Sequence, residues 1–369
     1  MTLEHWKQYR PGAYASFQEG ARLWQQAMAG VGERVPVTAQ MHEFVAHELG
    51  LPATEFYTRP DVLVPAILAV QQAYGLDIAS ITFDVYNIEA EALGQKLVTG
   101  EDQLPDIDRG MPLIRDHADL ALIKTPDFRV AGRFARVLEV HELFRELTGL
   151  EPTLTFCAPF TLAANLRGLE QLIFDIYVDP EFARDLLHRI TEEVLAPWIR
   201  CQQERFPRAA KVSGADAVAS LPLVNLGILR DWAAPSILRL RELCGPGVYV
   251  ANWVGESYLS DPTEMLDLKR QVCPDFVEGQ DPDVERLGPA VYRAYADEHR
   301  LPLVLGIGAS FMAQATPEAV MRRVGEYLRA GAPQGRCGLY LCNLGPTTPP
   351  ENVRAALQAA RAYCPGRSQ

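Results

Sequence analysis

Short runs rich in β-branched and aromatic residues alternate along this chain with longer stretches whose apolar positions recur every three or four residues. The runs RVPVTA (34–39), DIASITF (77–83), LTFCAP (154–159), ADAVASL (215–221), GVYVANW (247–253), DFVEGQD (275–281), LPLVLGIG (301–308) and GLYLCNLG (338–345) are predicted strands. Helices are predicted at 60–75, 133–149, across 166–206, at 226–245, 261–271 and 283–299, from Thr316 to about 330, and from Pro349 onward. The triplet Thr316-Pro317-Glu318 is a helix-start signal: an N-cap hydroxyl, a proline in the first turn and an acid near the positive helix end. Eight strand–helix units predict an α/β protein of the (β/α)8, or TIM-barrel, type. A doubly wound open sheet competes, but no Gly-rich phosphate fingerprint follows the first strand. A single domain is expected over 1–369, with 1–33 as an N-terminal helical decoration and 100–130 as an inserted surface segment.

Composition narrows the function classes. With 48% hydrophobic and 22% charged residues, the chain has ample material for a large core. Its net charge of −12 argues against a nucleic-acid partner, which would require a basic surface. Seven cysteines, an odd count without a CxxC pair, a polar N-terminus and no apolar run of membrane-spanning length predict a cytoplasmic protein with free thiols and no membrane contact.

In a barrel, chemistry sits where the strands end. The polar residues there are Gln40 and His42; Asp84, Tyr86 and Asn87; Cys157; Asp216 and Ser220; Asn252 and Glu256; Glu278, Gln280 and Asp281; Ser310; and Cys342 with Asn343. Taken singly, each is as readily a capping or structural hydrogen-bonding group. Their convergence on one cavity is the argument for a site.

Three segments carry a resemblance. FDVYNIEAEALG (83–94), FCAPFTLAANLRG (156–168) and LCNLGPTTPPENVRAAL (341–357) resemble, in order, motifs of the uroporphyrinogen decarboxylase superfamily. The resemblance implies a TIM barrel and one of two activities: decarboxylation of uroporphyrinogen, or methyl transfer to or from a corrinoid cobalt. The decarboxylase would need clustered arginines for its polyanionic substrate, two of them from an MRQAGR motif. The matching stretch here is Gln40-Met41-His42-Glu43-Phe44-Val45, without arginine. Asp84 matches the family aspartate, but Asn165 stands for its tyrosine and Pro346 for its histidine.

Zinc-dependent methyltransferases of the superfamily end the fifth strand in His-x-Cys-Gly. That slot reads Asn252-Trp253-Val254-Gly255, and Cys342 alone could fill a third ligand position. Zinc is therefore not expected, since such a site needs about three protein ligands; a non-standard set such as His42, Glu278 and Cys342 has no spacing signature. The resemblance then implies a zinc-independent methyltransferase. Asn252 would donate a hydrogen bond to the leaving or accepting atom, and Asp84 or Glu278 would supply or take the proton. Gln40, His42, Tyr86, Asn87, Asn165, Trp253, Ser310 and Asn343 would line the substrate cavity. The chain lacks the Asp-x-His-x-x-Gly phrase of corrinoid carriers, so cobalamin would arrive on a separate corrinoid protein. A methyl ether, a methylated amine or tetrahydrofolate would be the small-molecule partner, and a homodimer is compatible with the sequence. The rival readings are a cofactor-free uroporphyrinogen decarboxylase and a non-catalytic binding barrel.

Overall fold

The computed structural model describes residues 6–81, 83–84, 86–100 and 103–366. Nine strands occur among them: β1 (Val37–Ala39), β2 (Leu97–Gly100), β3 (Gln103–Ile107), β4 (Leu154–Cys157), β5 (Val212–Ala215), β6 (Val248–Val250), β7 (Val277–Gln280), β8 (Leu303–Ile307) and β9 (Cys337–Leu341). β2 and β3 form an antiparallel hairpin that begins just before the expected 100–130 insertion and runs into it. The others are parallel and form two sheets, β1-β9-β8-β7 and β4-β5-β6, each strand leading into helices.

The arrangement is an α/β fold whose two parallel sheets are separated by two seams among the described residues. Backbone and side-chain hydrogen bonds satisfy strand groups at both. At the first, Val37 of β1 accepts from the amides of Asp77 and Ile78, and Ser80 Oγ donates to the Ala39 carbonyl. Across the same seam the free edge of β4 is satisfied by side chains: Gln202 bonds both the N–H and the carbonyl of Thr155, and Glu89 accepts from the Cys157 amide. The predicted strand 77–83 lies here. Its described residues form no regular strand, because these side chains occupy the ladder positions; Thr82 lies outside the described residues. At the second seam, between β6 and β7, the Lys269 ammonium donates to the Glu278 carbonyl of β7 at 2.6 Å. Such substitutions satisfy the requirement that buried backbone polar groups be paired.

One predicted strand is displaced. ADAVASL (215–221) is irregular, and the strand is the preceding Val212–Ala215, in register with both Leu154–Cys157 and Val248–Val250. Its Ser213 and Gly214 hid it from a hydrophobicity pattern; a Cβ at Gly214 would meet the Phe156 ring at 2.5 Å. The helices fall as expected at Pro60–Tyr74, Phe134–Thr148, Thr263–Val272 and Pro350–Ala362, and Thr316 does cap its helix, accepting from the Ala319 amide.

Most strands bury one face completely and leave the other half-buried; β8 is buried on both. Val248 and Val250 are buried against helices, while Tyr249 between them is partly accessible. Thr38, Gln40, Thr155, Ser213, Glu278, Gln280 and Tyr340 share that half-buried, inward position. These inward positions are thus mostly polar rather than aliphatic. The N-terminal helix Phe17–Ala29 lies against the start of β9, where a Cβ at Gly338 would sit 2.6 Å from the Trp24 ring. That glycine lets the indole close the end of the barrel opposite the strand C-termini. No helix among the described residues is long and apolar enough to cross a membrane.

Candidate functional site

The C-terminal ends of the strands bring together Gln40, Tyr86, Asn252, Glu278, Gln280, Tyr340 and Cys342. A Cβ at Gly306 would lie 2.6 Å from Cys342 Sγ and 2.9 Å from Gln280 Cγ, so this glycine makes room for both side chains at the mouth. Gln280 donates to the Glu278 carboxylate. Burial raises the Glu278 carboxyl above the usual glutamate range, while Gln280 and Lys269 pull it down less strongly. Burial also raises the Tyr340 and Cys342 groups, and the nearby Glu278 carboxylate adds to both shifts. Cys342 is therefore a protonated, inert thiol at neutral pH.

Asn252 is held by its oxygen, which accepts from the Asp216 amide at 3.1 Å. Its amide nitrogen is left to bond the Tyr86 hydroxyl, whose titration burial pushes up to about 12. Asp216 itself is fully buried and accepts from the Thr161 amide, the Thr161 hydroxyl and the Trp253 indole at 3.1, 2.7 and 2.9 Å. Trp253 thus sits inside the wall of the site, fully buried, with no ring face open to the cavity. Asn165 donates to the Tyr86 carbonyl at 2.7 Å and fixes that turn.

Asp84 belongs to a second cluster beside the mouth. Arg133 Nη2 lies 2.7 Å from Asp84 Oδ2, and Arg133 Nε lies 2.5 Å from Glu91 Oε2. Asn87 donates to Asp84 Oδ1 and to the Pro105 carbonyl. Burial holds the Asp84 carboxyl above its ordinary value, outweighing the opposing effect of Arg133. Glu89, next to this cluster, is fully buried with one oxygen unpaired, and burial pushes its carboxyl up to about 8. Asp84 is therefore engaged by a guanidinium and an amide. Val85, within the motif that carries it, lies outside the described residues.

His42 is buried behind Gln40, and burial lowers its imidazole to about 4, so it is neutral at physiological pH. Its Nδ1 contacts the Tyr57 hydroxyl at 2.5 Å. Ser310 and Asn343 are exposed; Asn343 has φ +45°, a left-handed conformation that asparagine tolerates better than most residues. Sequence reading passed over Tyr340, Arg133, Glu89, Tyr57 and Lys269.

The Asn252-Trp253-Val254-Gly255 stretch can now be read physically. Gly255 has φ +119°, and a Cβ there would lie 2.4 Å from Leu221 Cβ and 2.9 Å from Leu221 backbone atoms, so only glycine fits. Its amide donates to Asp283 at 2.7 Å. The Trp253 indole donates to Asp216, and the Val254 amide donates to the Ser220 hydroxyl. Among the described residues, no three His, Cys, Asp or Glu side chains are grouped to hold a metal ion, and His42, Glu278 and Cys342 are no exception.

Comparison with known proteins bears on this geometry. The family model "Uroporphyrinogen decarboxylase (URO-D)" matches residues 22–204. A methylated-thiol–coenzyme M methyltransferase of Methanosarcina mazei is 25% identical over 297 residues, 79% of this chain and 74% of that protein. A solved structure described as a methyltransferase from Methanosarcina mazei superposes with TM-score 0.74 at 19% identity, covering 93% of this chain and 98% of the other. That likeness shows that the two chains share their fold. Residues 22–204 thus match the uroporphyrinogen decarboxylase family, and over a longer stretch the chain is similar to a methyltransferase.

Proposed function

We propose that the protein is a zinc-independent methyltransferase that moves a methyl group between a corrinoid on a separate carrier protein and a small molecule. The observation that supports this most is the chemistry of the mouth. Its groups are an amide held by its oxygen (Asn252), two phenols (Tyr86 and Tyr340), a second amide (Gln280) and one carboxyl kept above its usual range (Glu278). The nearby cations are committed elsewhere, Arg133 to Asp84 and Glu91, and Lys269 to Glu256. Among the described residues, the two buried cations beside the mouth are thus already paired and do not cage a substrate bearing many carboxylates.

Such a set suits transfer from oxygen or nitrogen. As the methyl departs, the leaving atom keeps the bonding pair and must gain a hydrogen bond or a proton. The Asn252–Tyr86 pair supplies the former without titrating, and Glu278, whose carboxyl burial raises above the ordinary glutamate range, is the group that supplies the latter. In the reverse direction Glu278 takes the proton from the accepting atom. The corrinoid contributes a strongly nucleophilic metal centre when bound; the chain's own part is to orient, hydrogen-bond and protonate. Tetrahydrofolate, methyl ethers and methylated amines are the small molecules to test.

The test is a substrate panel. Purified protein is incubated with reduced cobalamin and methylated ethers or amines, with methylcobalamin and tetrahydrofolate, and separately with uroporphyrinogen. Methyl transfer with at least one pair is expected. Formation of coproporphyrinogen would overturn the reading.

A further inference from the structure

Behind the mouth, four side chains form a hydrogen-bonded row: Tyr340, Gln40, His42 and Tyr57. The Tyr340 hydroxyl donates to Gln40 Oε1 at 2.7 Å. With its oxygen so used, the Gln40 amide meets His42 Nε2 at 3.4 Å through its nitrogen, which can only donate. His42 Nε2 must then accept, so in the neutral ring Nδ1 carries the hydrogen and gives it to the Tyr57 hydroxyl, 2.5 Å away. Each link has one donor and one acceptor, and the imidazole stays neutral because it is buried. The consequence falls at the lumen end. Tyr340 has spent its only hydrogen on Gln40, so toward the cavity it offers lone pairs alone.

We infer that this row makes Tyr340 a specificity-determining hydrogen-bond acceptor, which selects small molecules bringing an O–H or N–H group into the mouth. On the methyl-transfer reading, on which the choice of ligand rests, this separates the two forms of the substrate. For an ether or a tertiary amine, the demethylated form carries the donor and is held by Tyr340, and the methylated form has lost it. A group that can only accept, such as an ionised carboxylate, meets lone pairs and is rejected. Gln40 and His42 are positioning residues: they touch no substrate and act by fixing the direction of the Tyr340 hydrogen.

The test begins with histidine-selective ¹⁵N labelling of the full chain, His42 being assigned by loss of its signals in His42→Asn. The expected result is a neutral ring with Nδ1 protonated and Nε2 bare, unchanged between pH 8 and pH 5. Gln40→Glu should convert it to a ring protonated at Nε2, because a carboxylate there can only accept. A wild-type ring protonated at Nε2 would overturn the inference, since the row would run the other way and Tyr340 would donate. That outcome is independent of whether methyl transfer occurs. The second arm titrates phenol and anisole, a pair differing in the hydrogen that Tyr340 would read. Wild type should prefer phenol by about tenfold, and Tyr340→Phe should lose the preference. Equal affinity for the two, binding of neither, or a preference surviving in Tyr340→Phe would each count against the proposal.

Discussion

Replacing Arg133 by methionine isolates the electrostatics beside the mouth. The guanidinium is almost fully buried, with 8% of its side chain accessible, and Asp84 opposite is at 2%. Removing the cation leaves the Asp84 carboxylate with Asn87 as its hydrogen-bonding side-chain partner, in a site where desolvation already dominates. Breaking a buried ion pair from one side costs about 3–5 kcal/mol, most of it the uncompensated charge. Arg133→Met should therefore lose about that much in urea unfolding at pH 7, and Arg133→Met/Asp84→Asn should recover a large part of it. The pH dependence has a definite sign. Asp84 has a raised folded-state value, so the native state holds its proton more tightly than the unfolded chain. Stability is then fully present below the unfolded value and falls as pH rises toward the folded one. Without Arg133 the folded value rises further, and the variant should lose stability with pH over a wider window than wild type, at up to about 1.4 kcal/mol per unit. A variant within about 1 kcal/mol of wild type, or two single effects that simply add in the double mutant, would refute the reasoning.

Three further outcomes follow from the same geometry. Gly255→Ala, forced against Leu221 at φ +119°, should destabilise the chain by at least about 1–3 kcal/mol in thermal unfolding. Lys269→Met strands Glu256, fully buried and 2.6 Å from the ammonium, and should cost about 3–5 kcal/mol in chemical denaturation, partly recovered by Lys269→Met/Glu256→Gln. Glu278→Gln should slow methyl transfer by about 10²–10⁴-fold while leaving the fold intact. Because burial raises this carboxyl in the folded state, wild-type stability should fall relative to the glutamine variant as pH rises above the ordinary glutamate value, and the two should converge in acid.

The parts of this molecule that declare themselves in sequence are those governed by local rules. Thr316-Pro317-Glu318 specifies a helix start because the cap is made within three residues, and the apolar runs at 303–307 and 337–341 specify strands because both faces or one whole face must leave water. The run 215–221 misled because β5 is built from Val212-Ser213-Gly214-Ala215, where a glycine makes room for neighbouring rings and a serine faces the lumen. Strand ends gave Gln40, Tyr86, Asn252 and Glu278, which do converge. The polar listing of strand ends could not separate them from Ser310 and Asn343, which are exposed. Arg133 was hidden because its partner Asp84 is 49 residues away and only the fold joins them. Tyr340 was readable in principle: strand alternation puts it on the same face as Gly338 and Cys342, but an aromatic in an apolar run looks like core. Lys269 also left a trace, a lysine between Leu268 and Val272 on the buried side of its helix.

The central claim is that this mouth assists methyl transfer by hydrogen bonding. It is tested most directly by following the cobalamin spectrum during turnover, with and without a strong chelator, in wild type and Asn252→Leu. The account predicts the same rate in chelator and a loss of about 10²-fold or more in the variant. A rate abolished by chelator and restored by stoichiometric zinc, or one unchanged in Asn252→Leu, would contradict it.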